Sequence, residues 1–202
     1  MSGAGLIVLA PLSIEARAVR AGAPRARVHR TGMGPRRAAR AARRVARLDG
    51  DAVLIAGFCG GLDPRLEPGD VVLATELRGP AGVTECGDGS KLADVLRAGG
   101  MNVHAGPIVS SPRLVTGEAR RTLAQTGALA VDMESAWLAP AAAGRPLLAL
   151  RVVLDTARHE LRRPLRTVTG AATAYRQLKR AAALTQEWSQ IQARSRCGCQ
   201  RQ

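Results

Sequence analysis

Three carboxylates in this chain stand where a stable fold has little reason to put a charge. Glu15 comes five residues after the apolar run Leu6-Ile7-Val8-Leu9-Ala10, past the break at Pro11. Glu134 follows Leu129-Ala130-Val131-Asp132-Met133, and Asp155 closes the run from Leu147 to Leu154. Between them, Ala52-Val53-Leu54-Ile55-Ala56 opens into Gly57-Phe58-Cys59-Gly60-Gly61, where glycines let a ligand approach the backbone closely. Singly, Glu15 and Glu134 have a plain explanation: an acid in the first turn of a helix gains ~0.3–1 kcal/mol from the helix dipole. As a set they suit an oxocarbenium-like transition state. One acid serves the leaving group, one carboxylate holds sugar hydroxyls, and one activates a nucleophile.

The elements that must position them follow from the pattern. Continuous apolar runs of strand length indicate strands buried on both faces, and here they alternate with helical segments. That predicts a single α/β domain: a mixed, mostly parallel central sheet flanked by helices, with ligands bound beyond the carboxyl ends of the strands. Strands are expected at 6–10, 26–30, 52–56, 71–74, 107–111, 129–132 and 147–155. Helices are expected after Ser13 (as the cap), from Pro35, over about 90–98, over 116–126, through the Ala-rich 136–143, and over about 167–191. Gly57–Gly61 reads as a turn, and 78–106 as a loop-plus-helix insertion. The domain is expected to span 1–192, with 193–202 a disordered tail.

Thr31-Gly32-Met33-Gly34-Pro35 is a glycine turn entering a helix, with Pro35 suited to the first helical position. Free amides at such an N-terminus suit an anion, so Gly32 and Gly34 are candidate phosphate ligands. In the helix, Ala38, Ala41, Val45 and Leu48 face inward, while Arg36, Arg40, Arg43, Arg44 and Arg47 make a solvated face.

The chain has 202 residues, 46% of them hydrophobic, and a net charge of +14. The positive charge is almost all Arg in an Ala- and Gly-rich chain. Only Phe58, Trp137, Tyr175 and Trp188 are aromatic, too few to stack single-stranded bases, so no dedicated nucleic-acid role is expected. No apolar run approaches the ~20 residues that span a bilayer. The N-terminal run is too short for a secretory signal, and a cytoplasmic protein is expected. Cys197-Gly198-Cys199 lacks the spacing of a zinc or redox motif, and no metal is expected.

Gly57-Phe58-Cys59-Gly60-Gly61-Leu62-Asp63-Pro64 with Pro68-Gly69-Asp70-Val71-Val72, then Val131-Asp132-Met133-Glu134-Ser135, then Arg151-Val152-Val153-Leu154-Asp155, resemble the successive motifs of the purine nucleoside phosphorylase and nucleosidase superfamily. The likeness runs over roughly 5–160. Gly32-Met33-Gly34-Pro35 and the Asp-Met-Glu-Ser form look most like the hopanoid-associated phosphorylase branch, which releases adenine from adenosylhopane. Methylthioadenosine/adenosylhomocysteine nucleosidases are cousins. The resemblance implies that Asp155 protonates or hydrogen-bonds the purine N7, with burial raising its pKa. It implies that Glu134 binds ribose hydroxyls, Met133 packs on the sugar and Glu15 activates the nucleophile. Phe58, Cys59 and Gly60 would line the pocket, and Arg151 would set its electrostatics. It further implies no cofactor, phosphate as a possible co-substrate, and a homodimer or larger assembly. Two departures stand out. Leu154 occupies the place of a Ser in the nucleosidases, and no aromatic residue stands around 112–116 to sandwich a purine. The alternatives are a methylthioadenosine/adenosylhomocysteine-type nucleosidase or a non-catalytic nucleoside- or polyprenoid-binding member of the fold.

Overall fold

The computed structural model describes residues 5–157 and 170–186. Eight strands form one sheet: β1 (Leu6–Ala10), β2 (Arg27–Arg30), β3 (Ala52–Gly61), β4 (Val71–Gly79), β5 (Gly82–Glu85), β6 (Val103–Ser110), β7 (Ala130–Asp132) and β8 (Leu147–Asp155). The helices are α1 (Ser13–Gly22), α2 (Pro35–Val45), α3 (Ser90–Ala98), α4 (Gly117–Ala124), α5 (Ser135–Leu138, continued as a 3-10 turn over Ala139–Ala142) and α6 (170–186).

The long strand β3 organises the sheet. Its first part pairs in parallel with β1 and β8, and its last two residues, Gly60 and Gly61, pair antiparallel with β7. β8 also pairs with β4, β4 with β6, and β6 with β7. The strands β3, β8, β4, β6 and β7 therefore close a circuit, which leaves none of the five with a free edge along its whole length. β1 and β2 extend the sheet on one side, and β5 forms a hairpin on β4. Five of the eight strand pairings are parallel.

Both sides of the sheet are covered, as the unbroken apolar runs require. Ile7, Leu9 and Ile55 pack with Ala38 and Val45 of α2 and Leu138 of α5. Their strand neighbours Val8, Leu54 and Ala56 pack on the other side with Val19 of α1, Leu92 of α3 and Leu178 of α6.

Several local expectations are corrected. Gly57–Gly61 is not a turn but the second half of β3. Pairing with β8 and β7 supplies the hydrogen bonds that glycines would otherwise give up to a loop. The segment 78–106 holds more sheet than expected: β4 runs on to Gly79, β5 follows, and β6 begins at Val103, four residues early. Ser13 does not cap α1. Leu12 is the N-cap, and its amide is satisfied by Glu15 Oε2 at 2.6 Å. The Ser13 hydroxyl instead accepts a hydrogen bond from Arg30. The tail 193–202 lies outside the described residues.

Candidate active site

Arg151 is the centre of the site. It is fully buried in mid-β8, where an apolar side chain would be the default. Burial of a guanidinium is tolerable only with matched partners. Arg151 Nη2 meets Asp132 Oδ2 at 2.8 Å and Ser135 Oγ at 2.9 Å. Asp132 is the last residue of β7, and its Oδ1 also accepts from Ser110 Oγ at 2.5 Å and from the amides of Glu134 and Ser135. The network joins β6, β7, α5 and β8, and it fixes the backbone that carries Glu134.

Both predicted glutamates lie close enough to feel this cation. Glu15 reaches back over the end of β1, and its Oε1 accepts from the Phe58 amide at 2.7 Å. Glu134 Oε1 accepts from the Gly34 amide at 2.9 Å, at the N-terminus of α2. Burial pushes both carboxyls above the usual range. For each, the Arg151 charge and the donating amides pull the other way, less strongly. The Glu134 charge adds to the rise at Glu15, and the Asp132 charge adds to the rise at Glu134. A carboxyl held high in this way is a better proton acceptor near neutral pH than an ordinary glutamate.

Gly57 makes the arrangement possible. A Cβ there would overlap both Arg151 Nη1 and Glu15 Oε1. The sequence assigned this glycine to a ligand's approach; its first duty is to admit two charged side chains of the protein itself.

Asp155 lies further along. The pairing of β3 with β8 passes from Cys59–Val153 to Gly60–Asp155, so Leu154 is the extra residue of a bulge. Bulges re-aim the side chains beside them. Here the bulge sets Asp155 across from Gly60, where its Oδ2 accepts from Arg120 Nη2 of α4 at 2.7 Å. Both side chains are buried. A Cβ on Gly60 would lie 2.9 Å from Arg120 Nη2 and 3.0 Å from Asp155 Oδ1. Gly57 and Gly60 therefore mark two ends of one site, roughly 10 Å apart at the rise of a strand. Cys59 lies between them and feels Arg151, Asp132, Asp155 and Arg120 together. Burial drives its thiol well up, which makes it packing rather than a nucleophile.

The remaining predicted residues fall as follows. Phe58 and Met133 are half-buried, Phe58 contributing its backbone amide to Glu15. Gly32 and Gly34 both have positive φ, but their amides are taken: Gly32 N–H by Pro11 O at 3.0 Å, Gly34 N–H by Glu134. No group of His, Cys, Asp or Glu suited to a metal occurs among the described residues.

Sequence reasoning assigned no role to Asp132, Ser135, Ser110 and Arg120. Arg120 carried a faint signal. Helical spacing puts it on the same face as Leu123 and Ala124, and a charge on an apolar face needs a buried partner. Arg121, next to it, is exposed and pairs with Glu118.

The sequence matches the Phosphorylase superfamily over residues 11–188. The chain belongs to this superfamily. The fold agrees. S-adenosylhomocysteine nucleosidase of Streptococcus pyogenes superposes with a TM-score of 0.77 at 18% identity, covering 93% of this chain and 98% of that one. Futalosine hydrolase of Helicobacter pylori gives 0.76 at 16% identity, covering 91% and 97%. The 5′-methylthioadenosine/S-adenosylhomocysteine nucleosidase of Neisseria meningitidis gives 0.73 at 20%, covering 91% and 99%. No curated protein matches the sequence. As a member of the Phosphorylase superfamily the chain is an enzyme by family, and it shares the fold of these nucleosidases.

Proposed function

We propose that this protein hydrolyses the N-glycosidic bond of a purine nucleoside that carries an apolar 5′ substituent. The observation that carries the reading is the pair of buried, elevated carboxyls, Glu15 and Glu134, held about one cation with the Asp155–Arg120 pair a short way along the same strand. In this reading Glu15 takes the proton of the attacking water, and Glu134 holds ribose hydroxyls beside Met133. Arg151 touches no substrate; it positions Ser135 and the backbone of Glu134. Asp155 and Arg120 face the leaving base.

Water is favoured over phosphate as the nucleophile because both amides of the glycine turn are already committed within the protein. The apolar 5′ group is supported by Ile14 (43% exposed) and Met33 (52% exposed), which neighbour Glu15 and Gly34 at the ribose end. Adenosylhopane and methylthioadenosine both carry such a group. The resemblance supports a homodimer or larger assembly.

The test is release of free base from a panel of 5′-substituted purine nucleosides, with and without phosphate. Phosphate-independent release is expected. A rate that rises from zero with phosphate would make the enzyme a phosphorylase, and no release from any member would refute the function.

A further inference from the structure

We propose that the protein docks on anionic lipid bilayers through the edge formed by α1, β2 and α2, with the rim that carries Ile14 and Met33 set against the lipid. The inference goes beyond the nucleosidase reading, and the binding it predicts does not depend on the reaction.

The charge of this chain is unevenly distributed. Eleven arginines and no acidic residue stand between Arg17 and Arg47. The rest of the chain carries nineteen basic and sixteen acidic side chains, close to balance. A general bias toward arginine does not strip one segment of its acids. The fold then gathers this segment on one side of the sheet, where β2 is the edge strand and pairs only with β1. Arg27 of β2, Arg44 of α2 and Arg20 of α1 all lie close enough to act on His29: burial pushes its imidazole down, and these three charges push it further. Arg25 aside, none of the eleven forms an ion pair with a described residue. Arginines on an edge strand discourage pairing with another chain, which accounts for Arg27 and Arg30. It does not account for the arginines of the two helices.

The rim supplies the second observation. Among the described residues four large apolar side chains are exposed, and two of them, Ile14 and Met33, stand here. They lie on adjoining segments: the Gly32 amide donates to Pro11 O at 3.0 Å, and Arg30 Nη1 donates to Ser13 Oγ at 2.7 Å. Arg37 folds back over the same turn, since a Cβ on Gly32 would lie 2.8 Å from Arg37 Cδ. Guanidinium groups thus bracket two apolar side chains. That is the pattern of a surface that lies on a bilayer: apolar side chains enter the acyl boundary while arginines meet lipid phosphates. A nucleic acid would satisfy the arginines but leave Ile14 and Met33 in water. A second copy docked symmetrically on this face would bring like charges together. No described helix is long and apolar enough to cross a membrane, so the proposed contact is peripheral. For a substrate with an apolar 5′ group, such docking would open the site toward the phase that holds it.

The test is co-sedimentation of the full chain with sucrose-loaded vesicles, of phosphatidylcholine alone or with about one-third phosphatidylglycerol, in about 0.1 M NaCl. Binding to the anionic vesicles is expected to exceed binding to the neutral ones by about 10-fold or more. All four positions to be changed are exposed, so the variants should fold, which their melting temperatures check. Arg40→Gln with Arg44→Gln should weaken vesicle binding by about 10-fold and lower heparin retention with it. Ile14→Ser with Met33→Ser should weaken vesicle binding several-fold and leave heparin elution unchanged, since heparin offers charge and no apolar phase. Full vesicle binding by that second variant would reduce the contact to charge alone and overturn the proposal. So would equal sedimentation with both kinds of vesicle, or with neither. Tighter binding to duplex DNA than to anionic vesicles in the same salt would give the face to nucleic acid. A dimer that Met33→Ser dissociates, in a protein that ignores vesicles, would give the rim to a second copy. Base release from water-soluble nucleosides is read separately: its absence sinks hydrolysis and leaves docking standing, whereas failure to bind vesicles leaves hydrolysis untouched.

Discussion

Glu15 carries two consequences at the scale of a single residue. As the group that takes the water's proton, it must be ionised to act. Glu15→Gln is expected to cut base release by about 10²–10⁴-fold in steady-state assays. Because burial holds Glu15 high, the acid limb of the wild-type pH–rate profile should lie above the ordinary carboxylate range. The effect on stability has the opposite sense. A carboxyl whose pKa is higher in the folded state binds a proton that the unfolded chain has already lost. Its contribution to stability is present below the ordinary carboxylate range and is lost as pH rises through the elevated value. Melting temperature followed against pH should therefore fall less steeply across that interval in Glu15→Gln than in the wild type. An identical slope in the two proteins would mean that Glu15 titrates normally.

At the scale of elements, the tolerance of β3 for charge depends on what its glycines leave empty. Gly57→Ala would drive a methyl into Arg151 and Glu15 at once. Neither is the free end of a flexible surface chain, so the cost should be about 1–3 kcal/mol of stability with most activity lost, measured by denaturant melts and base release. Arg145 provides a contrast away from the site. It joins the carbonyls of Val45 and Leu48, where α2 ends, to those of Ala141 and Ala142 in the 3-10 turn. Arg145→Ala should destabilise the protein by about 2 kcal/mol. Turnover per folded molecule should hardly change, because Arg145 binds the C-terminal end of α2, whereas Glu134 is met at the other end by Gly34.

For the whole molecule, charge and closure act separately. The net charge of +14 is spread over arginine-rich surfaces such as the outer face of α2. Retention on heparin is expected at low salt and should vanish by about 0.2 M NaCl, because such binding comes from counterion release alone. Retention well beyond that would restore a nucleic-acid role. The circuit of five paired strands has another effect. It brings the ends of β3, β7 and β8 to one place, so that Glu134, Arg151 and Asp155 converge although their sequence neighbours differ. No described helix is long and apolar enough to cross a membrane.

Strand positions and most helix positions were legible in the sequence, because apolar runs and 3–4 spacings are local signals of burial. Glu15, Glu134 and Asp155 were conspicuous as well, since a charge at the end of an apolar run stands out without any coordinates. What each charge faces was not legible. The partners of Arg151 lie on β7 and α5, the partner of Asp155 lies on α4, and the Gly34 amide that looked free for phosphate is bound to Glu134, a hundred residues away. Ion pairs and hydrogen bonds act over about 3 Å in space and leave no periodicity along the chain. Only the closing of the sheet could decide which carboxylates met backbone amides and which met an arginine.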